Sequence, residues 1–221
     1  MRLRNTFHAC TALAAVALLG CPNAEGEFND FQDRYDAVHP DTASSSSTGA
    51  SCAAPAAGDA DGDYVFALSA SLDPASPVRF AAKVATSEGA SGLEVSFTLQ
   101  ALDTCDRTTP VGEIFDLGPF AVAADGSFTA AFPPLEVTGL SNPFSENPIT
   151  AEVTLTGNLC AASNTICGAL GGNVTKPSVI KLDGSNFRFD RLEATGEFPD
   201  VVALNCAGDL SKTKLPSKCA K

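Results

Sequence analysis

Three features of this 221-residue chain predict an all-β fold. After Asp61, apolar and polar residues alternate along stretch after stretch, the two-residue period of a strand with one buried face. Short runs of Gly, Pro, Asp and Ser separate these stretches and carry turn chemistry. No sustained 3.6-residue period occurs in this region, and only Asp200–Asn205 reads as a short helix.

The elements follow in order. "YVFALSASL" sets Tyr64, Phe66, Leu68, Ala70 and Leu72 on one face. "PVRFAAKVAT" repeats the pattern with Val78, Phe80, Ala82 and Val84. "GLEVSFTLQAL" places Leu93, Val95, Phe97, Leu99 and Ala101 opposite Glu94, Ser96, Thr98 and Gln100. A loop over Asp103–Gly112 follows, and then "PFAVAADGSFTAAF" reads as two strands around Asp125-Gly126, a hairpin signal. "PLEVTGL" and "ITAEVTLTGNL" continue the alternation. "ICGALGGNV" is short and Gly-rich, as expected of a strand that bulges or lies close to another backbone. "SVIKLDGSNFRFDRL" is a last hairpin, turning at Asp183-Gly184.

Short turns join antiparallel neighbours, so the strands form a meander. An open, twisted sheet of this size curls or splits into two layers. The expectation is a single antiparallel, meander-rich β-barrel or two-layer β-sandwich of about 8–10 strands over residues 59–221. A transmembrane barrel needs aromatic girdles, and this chain has no Trp and two Tyr.

Residues 1–58 differ in kind. Arg2 and Arg4 precede an apolar run over Thr11–Gly20. That run is too short to span a bilayer, which takes about 20 residues, and reads as a secretory signal over residues 1–20. It ends Leu18-Leu19-Gly20-Cys21, which resembles the lipobox of bacterial lipoproteins, although Leu19 is larger than usual there. The resemblance covers the first 21 residues only. It implies cleavage before Cys21, a diacylglycerol on the Cys21 sulfur and a membrane partner reached through that anchor. The absence of Asp after Cys21, where Pro22 stands, implies an outer-membrane lipoprotein of the cell envelope, facing the periplasm or the exterior. Residues 21–58 read as a disordered tether. Within it, Phe28, Phe31, Tyr35 and Val38 form one stripe of a short amphipathic segment at 27–39. A Ser/Ala-rich linker follows.

Charge and composition exclude several classes. Without residues 1–20 the chain carries 12 Lys and Arg against 26 Asp and Glu, a net charge of −14. So acidic a chain repels phosphate backbones, and no nucleic-acid partner is expected. The two histidines, His8 and His39, precede the β-region. That region therefore has no imidazole for nucleophile activation or metal ligation. No catalytic residue, cofactor or metal site is expected. "DADGD" (59–63) has neither the glycine nor the closing Glu of a calcium loop and reads as an acidic turn. Carboxylate pairs such as Glu113/Asp116 and Glu193/Glu197 leave one catalytic alternative, a carboxylate-dependent hydrolase such as a glycan-acting enzyme.

Six cysteines remain after Cys10 and Cys21, and an even number in an exported chain reads as three disulfides. The expected pairs are Cys160–Cys167 across a short loop, Cys52–Cys206 joining the ends of the domain, and Cys105–Cys219 by elimination. "SNPFSENP" (141–148) is a candidate binding loop, with Phe144 between two prolines. These readings converge on a non-catalytic, lipid-tethered β-domain that binds a small apolar ligand, a glycan or an envelope protein, or serves as a structural module. A cavity of about 300 Å³ or more would favour ligand binding, and a filled interior the structural role. The anchor is tested by labelling cells with a palmitate analogue. Wild-type protein is expected to take the label and Cys21→Ser to lose it; a labelled Cys21→Ser variant contradicts the anchor.

Overall fold

The computed structural model describes residues 52–161 and 163–219. The signal, Cys21, the amphipathic segment and most of the linker lie outside them. Ten strands form one antiparallel sheet: β1 (Gly62–Ser69), β2 (Val78–Gly89), β3 (Gly92–Leu102), β4 (Pro110–Ala121), β5 (Ser127–Ala131), β6 (Leu135–Val137), β7 (Ile149–Asn158), β8 (Thr165–Lys176), β9 (Ile180–Lys181) and β10 (Ser185–Arg191). The order is β4-β3-β2-β1-β10-β8-β7-β5, with β6 on β7 and β9 on β8. The two ends of this order meet where Val122 bridges Phe128, beside the hairpin at Asp125-Gly126. The sheet is thus nearly closed, and a barrel rather than a sandwich is formed.

Alternation decides which side is inside. Phe66, Phe80, Val84, Val95, Phe97, Leu99, Val153 and Leu155 face the interior and are buried. Lys83, Ser87, Glu152 and their neighbours of the opposite phase face outward. Apolar inside and polar outside is the reverse of a barrel built for lipid. Phenylalanines fill the interior. Phe66 stacks on Phe189 with centroids 4.0 Å apart, Phe189 on Phe97 at 5.2 Å, and Phe187 meets Phe189 edge-on at 6.0 Å. Offset and edge-to-face pairs like these add about 0.5–1.5 kcal/mol each beyond their buried area.

The glycines of the seventh and eighth strands make room for this stack. Gly157 and Gly168 are register partners, and a Cβ on Gly157 would come within 2.7 Å of the Phe187 ring. The close approach expected of the Gly-rich stretch is found here.

Two expectations about elements need correction. Strand β4 begins at Pro110, within the stretch read as loop up to Gly112. It is the edge strand and most of its residues are exposed, so it lacks the alternating apolar signal. It is also bulged twice against β3, at Val95/Phe97 and Gln100/Ala101. Gly118 (φ 110°) takes a left-handed conformation at one bulge, and Gly112 (φ 77°) does so at the other; such bulges discourage edge-to-edge pairing. Asp200–Asn205 is not helical. The chain there runs extended along the outer face of β1, where Val202 and Leu204 cover Val65 and Ala67.

The disulfides are Cys52–Cys160, Cys105–Cys219 and Cys167–Cys206. Cys105–Cys219 agrees with the sequence reading; Cys160–Cys167 and Cys52–Cys206 do not form. The reason is register. Asn158 lies opposite Cys167, so Cys160 has already passed its would-be partner. Ile166 and its alternates point inward, so Cys167 points outward, toward the C-terminal segment that carries Cys206. Cys160 instead meets the incoming chain, where the Ala161 amide donates to the Ala53 carbonyl at 2.9 Å. The separations are 108, 114 and 39 residues. In the loop-entropy model, closures of this size contribute about 5 kcal/mol for the two longer loops and about 4 for the shortest.

Peptide mapping without reduction is expected to recover these three pairs; a peptide linking Cys160 to Cys167 contradicts the register. Phe189→Ala, at the centre of the stack, is expected to cost about 3–5 kcal/mol in urea unfolding.

Candidate functional site: an apolar cavity at one end of the barrel

Antiparallel order sends alternate connections to opposite ends. The hairpin at Asp125-Gly126 and the Cys52–Cys160 bridge lie at one end. The loops 70–77, 103–109, 138–148 and 177–184 gather at the other. The inward positions change character between the two. Near the first end they carry Phe66, Phe97, Phe128 and Phe189. Toward the loop end they become Ala70, Ala151, Val153 and Val174, and smaller side chains leave space that the phenylalanines do not fill.

The result is a cavity of about 180 Å³. Its walls include Leu68, Val78, Phe80, Leu135, Val153 and Leu170. Leu72, Phe144, Pro177 and Ile180 stand at its mouth. The lining is almost entirely carbon. An apolar cavity of about 150 Å³ accepts a benzene-sized group. The barrel is therefore packed in one half and hollow in the other, with a hollow smaller than the ~300 Å³ floor typical of drug-sized ligands.

Phe144, the sequence candidate, is at the mouth and 44 % exposed. What holds its loop was not legible in the sequence. Asn142, almost fully buried, donates from Nδ2 to Ser145 Oγ (2.9 Å) and to the Asn147 carbonyl (2.8 Å), and its Oδ1 accepts from the Phe144 amide at 2.9 Å. Both of its amide donors and one acceptor site of its oxygen are thus engaged within the loop. Lys218 completes the support. Its Nζ donates to the carbonyls of Gly139 (2.7 Å) and Asn142 (2.5 Å), with those of Leu140 and Ser145 each at 3.4 Å. The neighbouring Cys105–Cys219 bridge fixes Lys218 in place. Burial pushes the Lys218 ammonium below its usual range, opposed by the nearby charges of Asp103 and Glu146.

Carboxylates shape two other loops at this end. Asp106 accepts from the amides of Thr108 and Thr109 at 2.9 and 2.8 Å and from the Thr109 hydroxyl at 2.5 Å. The Thr109 hydroxyl and amide hold the Asp106 carboxyl below the ordinary carboxylate range. Asp73 binds Lys212 and the Ser76 hydroxyl, and these two contacts lower it likewise.

The carboxylates Glu113, Asp116, Glu193 and Glu197 face solvent. Asp116 accepts from the Thr98 hydroxyl at 2.7 Å. In "DADGD", Asp61 accepts from the Thr86 amide and hydroxyl at 2.7 and 2.8 Å, which makes it a loop clamp. Among the described residues no three metal-ligating side chains gather. No protein-family model, curated protein or solved structure matches the chain.

Asn142→Ala is expected to cost about 1–3 kcal/mol, since it strands buried partners, and to expose 139–147 to protease; an unchanged cleavage pattern contradicts the support role. Asp73 and Asp106 titrate below their unfolded values, so the stability they add is present above the ordinary carboxylate range and is lost as pH falls through their lowered pKa values. Amide protection factors in 70–77 and 103–109, corrected for the intrinsic pH dependence of exchange, are expected to fall on acidification below about pH 4, and Asp106→Asn to flatten that fall in 103–109.

Proposed function

We propose that this chain is a lipid-anchored protein of the cell envelope whose β-domain is a non-catalytic binding module for a small apolar ligand. The cavity supports this reading. At about 180 Å³ it is smaller than the ~300 Å³ set as the mark of a ligand site, but it is a largely carbon-lined hollow beneath a braced loop and is large enough for a benzene-sized group. Hydrocarbon surface moved from water into such a space gains about 25 cal/mol per Å². A glycan is disfavoured as ligand, because a sugar's hydroxyls would find no partners there and each unmatched group costs about 1–3 kcal/mol. The anchor rests on the sequence at Leu18–Cys21, and the three disulfides accord with an oxidising compartment.

The hollow also bears on the structural alternative. A purely structural barrel gains from filling its interior, since a void forfeits dispersion contacts. Here a few small residues maintain the void. Ala151→Phe should fill it. The expected result is that wild-type protein binds an apolar probe of the cavity's size, benzene, read by chemical-shift changes of the lining methyl groups, while Ala151→Phe stays folded and binds it at least tenfold more weakly. Undiminished probe binding by the filled variant, or none by the wild type, overturns the proposal.

A further inference from the structure

The mouth of the cavity is more apolar than its surroundings require. Leu72 is 67 % exposed, Val179 77 %, Phe144 44 % and Ile180 39 %. They come from three separate loops, 70–77, 138–148 and 177–184, that the topology gathers at one end. Single exposed apolar residues are ordinary, but large ones grouped around an opening mark a contact surface. Leu72, Phe144 and Ile180 also line the cavity, so the exposed collar and the buried hollow form one continuous apolar path.

Resting on the binding function proposed above, we infer that this end of the barrel docks on a lipid bilayer and that the ligand is an acyl chain drawn from it. The hollow accommodates a short length of alkyl chain, and its surface is overwhelmingly carbon, with Ser71, Asn142, Ser145 and Lys181 the polar residues in its lining. A chain entering it must keep its headgroup outside, and the collar covers the part of the chain between the two. The barrel mouth supplies for that part what the bilayer interior supplied, so the chain need not cross water.

Two lysines fit the headgroup layer. Lys176, at the end of β8, and Lys181, in β9, flank Val179 and Ile180 in sequence, and neither side chain has a partner among the described residues. Long side chains of this kind lay their alkyl stems along apolar surface and place the ammonium at phosphate depth. Glu146 and Asp183 occupy loops at the same end. The lysines therefore act as individual phosphate contacts rather than as a basic field, and docking should need no anionic lipid.

The test uses the full chain carrying Cys21→Ser, so that no acyl group of its own reaches the membrane. It is mixed with vesicles of phosphatidylcholine alone or of phosphatidylcholine with a quarter phosphatidylglycerol. Sedimentation reads docking, and cross-linking from a photoactivatable group at the end of a tracer lipid's acyl chain to the cavity wall reads uptake. The expected result is association with both vesicle types, differing by less than about threefold, and cross-links to cavity-lining residues in the docked protein. Val179→Asp, which alters an exposed residue that does not line the cavity, should lower docking and uptake at least fivefold while leaving probe binding intact. Ala151→Phe should dock but carry no lipid. Probe binding without vesicle association overturns the membrane inference and leaves the apolar-ligand function standing; failure of both removes the two together. Equal docking by the aspartate variant, docking that requires phosphatidylglycerol, or loading by soluble laurate but not by vesicles also overturns the inference.

Discussion

The contact on which the rest of this structure depends is the stacking of Phe66 on Phe189, centroids 4.0 Å apart, across the seam between β1 and β10. The first and last long strands of the domain meet there, so that one contact closes a chain of some 130 residues. Around it Phe97, Phe128 and Phe187 complete a packed half-barrel. A curled sheet needs a filled interior to hold its curvature, and dense aromatic packing supplies it. With one half secured in this way, the other half can be left partly empty.

The hollow half is held open by different means. Its loops are fixed by polar contacts made within themselves and by the C-terminal segment. Asn142 braces 138–148 from inside, and Lys218 braces it from beneath. Lys212 and Arg107 tie the same segment to the loops 70–77 and 103–109: Lys212 binds Asp73, and Arg107 donates to the carbonyls of Lys212 and Thr213. Arg79 makes the same kind of bond on the outer face of β2, donating to the carbonyls of Pro199 and Asp200, and burial pushes its pKa down to about 10. The C-terminal segment is thus a strap along the outside of the barrel. Two disulfides pin it, and the function proposed for the mouth relies on its hold.

This division of labour accounts for the placement of chemistry as well. The side chains able to do acid–base work are on the outer surface or committed to loop geometry, while the enclosed space is carbon. An apolar site needs few specific residues. It needs shape, and several loops that meet contribute the shape together.

The inward face of β1, β2, β3 and β7 was legible in the sequence to the residue, because a period of two follows directly from the alternation of Cβ atoms in an extended chain. So was Phe144 as a residue of interest, since two prolines and an interrupted meander mark its loop. Three things were not legible. Strand β4 turns Phe115, Leu117 and Phe120 toward the core, but the bulge at Gly118 throws them out of a two-residue period and most of its other residues are exposed, so no regular alternation marks it. The pairs Cys52–Cys160 and Cys167–Cys206 depend on register and on which face a cysteine occupies, and spacing along the chain contains neither. The cavity exists because Ala70, Ala151, Val153 and Val174 come to one level of the barrel, together with the collar of Leu72, Phe144 and Ile180. Local sequence decides each strand and its buried face; the closure of the sheet decides which small residues share a layer, and so where the empty space lies.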